Sequence, residues 1–261
     1  MYTLGVHSKS SNAAVMGELG RMPIILFVIK SMLKYCQHID DVFDKMPLLS
    51  AAFLEDKALP MNKSWRKKLE KILDVFGIRL TSDVPTNTFI DKVMEIMISK
   101  YIRYWKHLLG NSDDNNGKLS LYRQIKGNFK LEPYLKHINK NKFRRAMTSL
   151  RISSHALEIE RGRYRNIPRK ERFCTVCEKL GLKNIGDEKH AVLVCQIFES
   201  DRDQLIRNIS KIHPGFLSLN NDERIIFMLK SVGECATYVG KFIHTILTTQ
   251  RPQIVKKRSG K

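Results

Sequence analysis

The sequence predicts a mostly α protein: a helical domain, then a small zinc-binding module, then a terminal helical pair. Three observations carry this expectation. Apolar residues recur at helical spacing along most of the chain. Four residues of metal-ligand type cluster between Cys174 and Cys195. An apolar fraction of 43% over 261 residues is enough to bury a real core.

Taken in order, Asn12 is expected to cap a short helix over Ala13 to Leu19, with Gly20 ending it and Pro23 opening the next. That next helix should run to about Phe43. Its first turns are apolar all round, which predicts that the front half is the more buried. A weaker helical stretch, Leu48 to Leu59, stops at Pro60. Trp65, Leu69, Ile72, Leu73 and Phe76 fall on one helical face, with Gly77 at the stop. Thr88 and Asp91 have capping-box spacing, and the stripe Ile90, Val93, Met94, Met97, Tyr101, Trp105 and Leu108 follows, ended by Gly110. Asn111 to Lys118 has loop chemistry. Leu119 to Ile138 should form short helical pieces broken at Gly127 and Pro133. Ile197, Phe198, Leu205, Ile206 and Ile209 predict a helix, Asn221 a cap for Asp222 to Lys230, and Cys235, Val239, Phe242, Ile243 and Ile246 a final helix. These features divide the chain into a helical region at 1–128, a basic segment plus knuckle module at 129–212, terminal helices at 213–250, and a disordered basic tail at 251–261.

The four clustered residues are Cys174, Cys177, His190 and Cys195, in the pattern C-x2-C-x12-H-x4-C. A Cys-x2-Cys turn presents two thiolates to one metal, and a His and a Cys from the start of a helix can complete a tetrahedron. With all four positions filled by protein, one structural Zn2+ is expected, with no position for a catalytic water. The alternative is coincidence, with Cys177 and Cys195 buried as small hydrophobes. A thioredoxin-like pair fits poorly, since no βαβ pattern surrounds it. Five cysteines, an odd number, favour metal in a reducing compartment over a disulfide frame.

The charge balance points to the partner. With 46 Lys and Arg against 26 Asp and Glu, the net charge is +20, a field that attracts polyanions. Between Lys142 and Arg172 the positive charge comes from Lys142, Arg144, Arg145, Arg151, Arg161, Arg163, Arg165, Arg169, Lys170 and Arg172. Phe143, Tyr164 and Phe173 are interleaved. This mix suits phosphate contacts with stacking on unpaired bases, so RNA or DNA is the expected partner, and Arg144, Arg145, Arg151, Arg161, Arg163, Tyr164, Arg165, Arg169, Lys170 and Arg172 are the expected contact residues. The competing explanation is a solvated charged face.

Other chemistries find little purchase. The longest apolar run, Met22 to Ile29, is too short to span a bilayer, so no membrane partner is expected. Met1 to Gly20 lacks a charged start followed by an apolar block, so an intracellular protein, nuclear or cytoplasmic, is expected rather than a secreted one. Asp40 and Asp41 resemble a polymerase metal-binding pair only superficially, because they lie in a helical pattern with no clear third carboxylate. No phosphate-binding glycine loop, nucleophile elbow or HExxH occurs. His7, His107, His137, His155, His213 and His244 lack ligand-like spacing.

Several segments carry a resemblance. Arg151-Ile152-Ser153-Ser154-His155, Glu158 to Tyr164, Ile167-Pro168-Arg169 and Cys174-x2-Cys177 resemble the C-terminal region of LINE-type (non-LTR) retrotransposon reverse transcriptases, where a Cys-Cys-His-Cys zinc knuckle follows the polymerase. Asp187 to His190 with Val194-Cys195 is similar to the second half of that knuckle. Leu4 to His7, Asn12 to Val15, Gly17 to Pro23 and Gly240 to Ile243 also look like segments of that region. The sequence departs from the family pattern at Gln196, where proline is frequent, and in a long loop before His190. Neither an aromatic-x-Asp-Asp polymerase motif nor an endonuclease is recognisable, so the resemblance implies a nucleic-acid binder without polymerase or nuclease chemistry. Two alternatives stay open: an accessory fragment acting in trans with a reverse transcriptase, and a helical protein-interaction module.

Overall fold

The computed structural model describes residues 4–80, 84–110 and 117–250. It is mostly helical, and no β-strand occurs among the described residues beyond one isolated antiparallel bridge, Phe173 to Ile185. No single helix among them is long and apolar enough to cross a membrane.

The chain forms two compact units, and these are not the segments expected from sequence. One comprises Arg21–Leu108, and the other Met1–Gly20 together with Leu109–Lys261. The first twenty residues leave the expected 1–128 region because their polar groups are satisfied by residues far along the chain. The Glu132 amide donates to the Glu18 carbonyl at 2.9 Å, and the Tyr122 hydroxyl to the Ala14 carbonyl at 3.0 Å. The expected tail at 251–261, and most of the loop expected at 111–118, lie outside the described residues.

The Arg21–Leu108 unit holds α2 (Ile24–Asp41), α3 (Pro47–Ala58), α4 (Trp65–Val75) and α5 (Asn87–Leu108). Leu26, Ile29, Leu33 and Cys36 of α2 pack with Leu69 and Leu73 of α4 and with Ile90, Val93 and Met97 of α5. Full burial of one such side chain contributes about 1.5–3 kcal/mol. The front half of α2 corrects the expectation: Ile24, Phe27 and Val28 are exposed, 77% in the case of Ile24. The physical reason is that α4 and α5 cover only one stripe of the helix, so an all-round apolar turn leaves its other faces open. Helix starts also move. Thr86, not Thr88, receives the first-turn amide of Phe89 at 3.2 Å.

The second unit holds α1 (Asn12–Leu19), α6 (Ser120–Ile125), α7 (Tyr134–His137), α8 (Asn141–Arg151), α9 (Glu158–Tyr164), α10 (Thr175–Lys179), α11 (Glu199–Ile212), α12 (Asn221–Lys230) and α13 (Gly233–Thr249). Ser11 rather than Asn12 caps α1, because Ser11 has the extended backbone a cap needs and its side chain accepts the Ala14 amide. Asn220 rather than Asn221 caps α12, closing a reciprocal capping box with Glu223. Helices α8 and α13 cross closely at Gly240, where an added Cβ would lie 3.2 Å from the Phe143 carbonyl oxygen. The buried polar centre of this unit is Arg151, whose side chain is held by Glu18 and Glu132.

Candidate metal centre and its basic surroundings

Cys174, Cys177, His190 and Cys195 are brought together. All four are buried, and their ligand atoms lie within 4.8 Å of one another. Two local devices build the half-sites. Cys174 stands at the start of α10, so Cys177 follows it in the first helical turn, and Gly181 at φ 76° lets the chain leave. The second half is a wide turn, His190–Val194, capped by Asp187 Oδ1, which accepts the His190 amide at 2.8 Å. The Cys195 amide closes it on the His190 carbonyl at 2.8 Å, five residues back. In an α-helix, residues five apart face roughly 140° from each other. The wider i to i+5 turn brings them back toward one side.

The halves are joined by backbone. The Cys174 amide donates to the Asn184 carbonyl at 2.7 Å, and the Gly186 amide to the Arg172 carbonyl at 2.8 Å. Asn184 and Gly186 are thus part of a two-strand-like clasp. A Cβ at Gly186 would lie 3.0 Å from Cys174 Cα and 3.1 Å from its amide nitrogen, so the clasp closes directly on a candidate ligand.

The spacing fits a tetrahedral ion. Cys177 Sγ lies 3.8 Å from Cys195 Sγ and 3.3 Å from His190 Nε2. Metal–sulfur and metal–nitrogen bonds of the usual zinc lengths give tetrahedral edges of roughly 3.8 and 3.6 Å. The cluster can therefore hold a metal ion. Its electrostatics agree: burial pushes the Cys174 thiol up, but hydrogen bonds from His190 and from backbone amides outweigh it and bring the thiol down to about 7. Burial, with the Cys174 charge nearby, pushes Cys195 up to about 12 and also raises Cys177. One thiolate forms readily among protein groups alone, and a cation is what would make three thiolates favourable. Cys36 and Cys235 stand on α2 and α13, outside the cluster.

The ligand turn has a second set of contacts. Glu188 accepts from His155 Nε2 at 2.9 Å, while His155 Nδ1 receives the Leu157 amide at 3.4 Å. Because Nδ1 accepts, the proton sits on Nε2, and the ring is fixed between the knuckle and the turn before α9. His155 therefore has a positioning contact that its sequence spacing did not disclose.

The expected nucleic-acid residues fare unevenly. Arg151 is fully buried, with Nε and Nη2 at 3.0 and 2.9 Å from the two Glu18 oxygens, and so cannot meet a phosphate. It is corrected from contact residue to core residue, because a guanidinium that pairs with a carboxylate in the interior has no outward face. Arg161 pairs with Glu158 at 2.7 Å, Arg165 with the other Glu158 oxygen, and Arg163 with Glu160 at 3.1 Å. Arg172 donates to the carbonyls of Ile167 and Ile159 at 2.8 and 2.9 Å, and Arg169 sits 3.9 Å from Asp187. Arg144 bonds Asn141 and the Leu135 carbonyl, leaving it half-buried. Arg145, Tyr164 and Lys170 are exposed.

Arg151 is thus internal, while Arg161, Arg163, Arg165 and Arg169 stay partly exposed but are paired with carboxylates around the knuckle. Lys9 and Lys118, far away in sequence, join Arg145 and Tyr164 in lining a cleft of about 430 Å³. No local pattern marks those two lysines, and their convergence depends wholly on the tertiary fold. The chain matches no protein-family model, no curated protein sequence and no solved structure.

Proposed function

We propose that the chain is a zinc-dependent nucleic-acid-binding protein, derived from the C-terminal part of a non-LTR retrotransposon reverse transcriptase and carrying no polymerase or nuclease reaction. The observation that carries this is the closed, buried Cys3His cluster, whose ligand atoms lie within 4.8 Å of one another. Sulfur-rich tetrahedral sets of this kind suit zinc, and four protein donors leave no place for a catalytic water. The ion folds the knuckle, and the knuckle holds α9 and its basic side chains. A net charge of +20 supplies attraction for a phosphate backbone, and the resemblance from Arg151 to Cys195 gives the source. Five unpaired cysteines agree with a reducing, intracellular setting.

The test is metal content of the purified chain together with fluorescence anisotropy on single-stranded RNA and on duplex DNA. One zinc per chain is expected. A site neutralising six to ten phosphates should lose about three to five decades of affinity between roughly 50 and 200 mM salt. Absence of both zinc and salt-sensitive binding sinks the proposal.

A second role, as a helical protein-interaction module, is favoured by one observation: Ile24, Phe27, Val28 and Tyr35 make an exposed apolar stripe along α2. Partner capture that is insensitive to salt and survives Arg163→Ala with Arg165→Ala would select it. Acting in trans with a reverse transcriptase is the remaining alternative, separated by stimulation of primer extension when the chain is added.

A further inference from the structure

Two of the three cations that line the cleft lie outside the arginine run. Lys9, Lys118 and Arg145 converge on one cleft, and no acidic side chain lines it among the described residues. The three come from the segment before α1, from two residues before α6, and from α8, all within the unit formed by 1–20 and 109–261.

Arg145 is pre-set for an anion. Its Nε donates to the Gly5 carbonyl at 3.1 Å, while its terminal Nη groups have no protein acceptor among the described residues. Gly5 permits this: its φ is 63°, and a Cβ there would meet Arg145 Nε at 2.3 Å. The guanidinium is therefore tethered by its stem with its fork free, the reverse of Arg172, whose Nε and Nη1 are both given to carbonyls. An anchored fork loses less freedom on gripping an oxyanion than a loose one.

Hydroxyls complete the wall. Ser149, Ser153 and Ser154 line the cleft beside Ser10. Ser10 Oγ donates to the His7 carbonyl at 2.7 Å, so the 2.7 Å contact between Ser10 and Ser154 is donated by Ser154. This chain ties the start of the protein to the turn after α8. On the same cleft, Tyr164 is 62% exposed, a ring with a free face. Behind it, His155 is held by Glu188 of the metal-ligand turn, which connects the knuckle to the wall.

Phosphate is the anion that this set suits: three cations with no carboxylate in the lining, the Ser149 hydroxyl, and an aromatic face for a base next to it. We infer that the Lys9–Lys118–Arg145 cleft grips a backbone phosphate of a single nucleic-acid strand while the neighbouring base stacks on Tyr164. This rests on the nucleic-acid-binding function proposed above, and it moves the main contact away from Arg161, Arg163 and Arg165, which face Glu158 and Glu160.

The test uses the full chain loaded with zinc and a fluorescein-labelled oligouridylate RNA of about twelve nucleotides. Lys9→Gln with Lys118→Gln is compared with Lys68→Gln with Lys71→Gln, an equal loss of charge on exposed positions of α4. The cleft pair should weaken binding by about tenfold or more and flatten the log–log salt slope by about 1.4, and the α4 pair should do neither. Tyr164→Ala should cost about tenfold with no change in salt slope. Gly5→Ala, which displaces Arg145 without removing its charge, should weaken binding in the same direction.

Equal loss from both lysine pairs, or no loss from the cleft pair, overturns the cleft while leaving nucleic-acid binding in place. Failure of the unmodified chain to bind any strand overturns both together.

Discussion

Arg151 and Glu18 meet as a two-pronged ion pair in the interior, guanidinium Nε and Nη2 at 3.0 and 2.9 Å from the two carboxylate oxygens, with both side chains fully buried. Tyr134 adds its hydroxyl to the same carboxylate at 2.5 Å, and Glu132 approaches Arg151 Nη2 at 2.7 Å. Removing Arg151 strands the Glu18 carboxylate, whereas removing the Glu18 charge leaves Arg151 paired with Glu132. Arg151→Met should therefore destabilise the fold by about 3–5 kcal/mol and Glu18→Gln by less, measured by urea unfolding. The double replacement should cost less than the sum of the two, since no unpaired ion is left. Additive costs would show that the two do not act as a pair.

Metal removal should unfold the knuckle. Zinc-site folding energies are on the order of 10 kcal/mol, so a strong chelator should abolish amide protection across 172–195. Cys174→Ser should eliminate stoichiometric metal. Cys36→Ser and Cys235→Ser, outside the cluster, should retain it. Metal loss from all three variants alike would point to general unfolding instead of ligand loss.

Gly186→Ala should weaken metal affinity although position 186 carries no ligand. The new methyl would press on the Cys174 backbone at about the 3.0 Å contact described above, and also on Glu158 Cβ at 3.1 Å. Competition with a chromogenic chelator reads this directly. A change of about 10-fold is the size expected when support for a ligand is disturbed. Gly181→Ala, where an added Cβ meets nothing within 4 Å, should act only through its positive φ.

Glu160 provides a pH test. Burial raises its carboxyl, with Arg163 and Lys118 pulling the other way, and its Oε2 has no hydrogen-bond partner among the described residues. A raised folded-state value means that the fold favours the protonated form. The associated stability is present below the unfolded value near 4.5 and is lost as pH rises through the folded value. Glu160→Gln does not titrate, so its stability relative to the parent should improve from pH 4 to pH 7. A parent that gains on the variant over that range would contradict this.

What could be read from sequence follows from how local each signal is. The stripe Leu69, Ile72, Leu73 and the ligand spacing Cys174-x2-Cys177 are set by neighbours within a turn or two, and both survive in the fold. The fate of Arg151 is different, because its partner lies 133 residues earlier. Charge alone cannot tell an arginine that faces solvent from one that faces Glu18. The same holds for Lys9 and Lys118, which no repeat or motif marks. The front of α2 failed for another reason: an apolar turn announces that burial is possible, not how many faces neighbours will cover.

The Glu18–Arg151 pair also sets a schedule for synthesis. At roughly 5–20 residues per second, the 133 residues that separate them take about 7 to 27 s to emerge from a ribosome. Throughout that interval α1 carries a carboxylate whose counter-charge has not been made. The Arg21–Leu108 unit, complete much earlier, has its own apolar core and can settle first. The C-terminal half must then recapture a segment released from the ribosome long before it, which makes α1 the part of the protein most dependent on protection while translation continues.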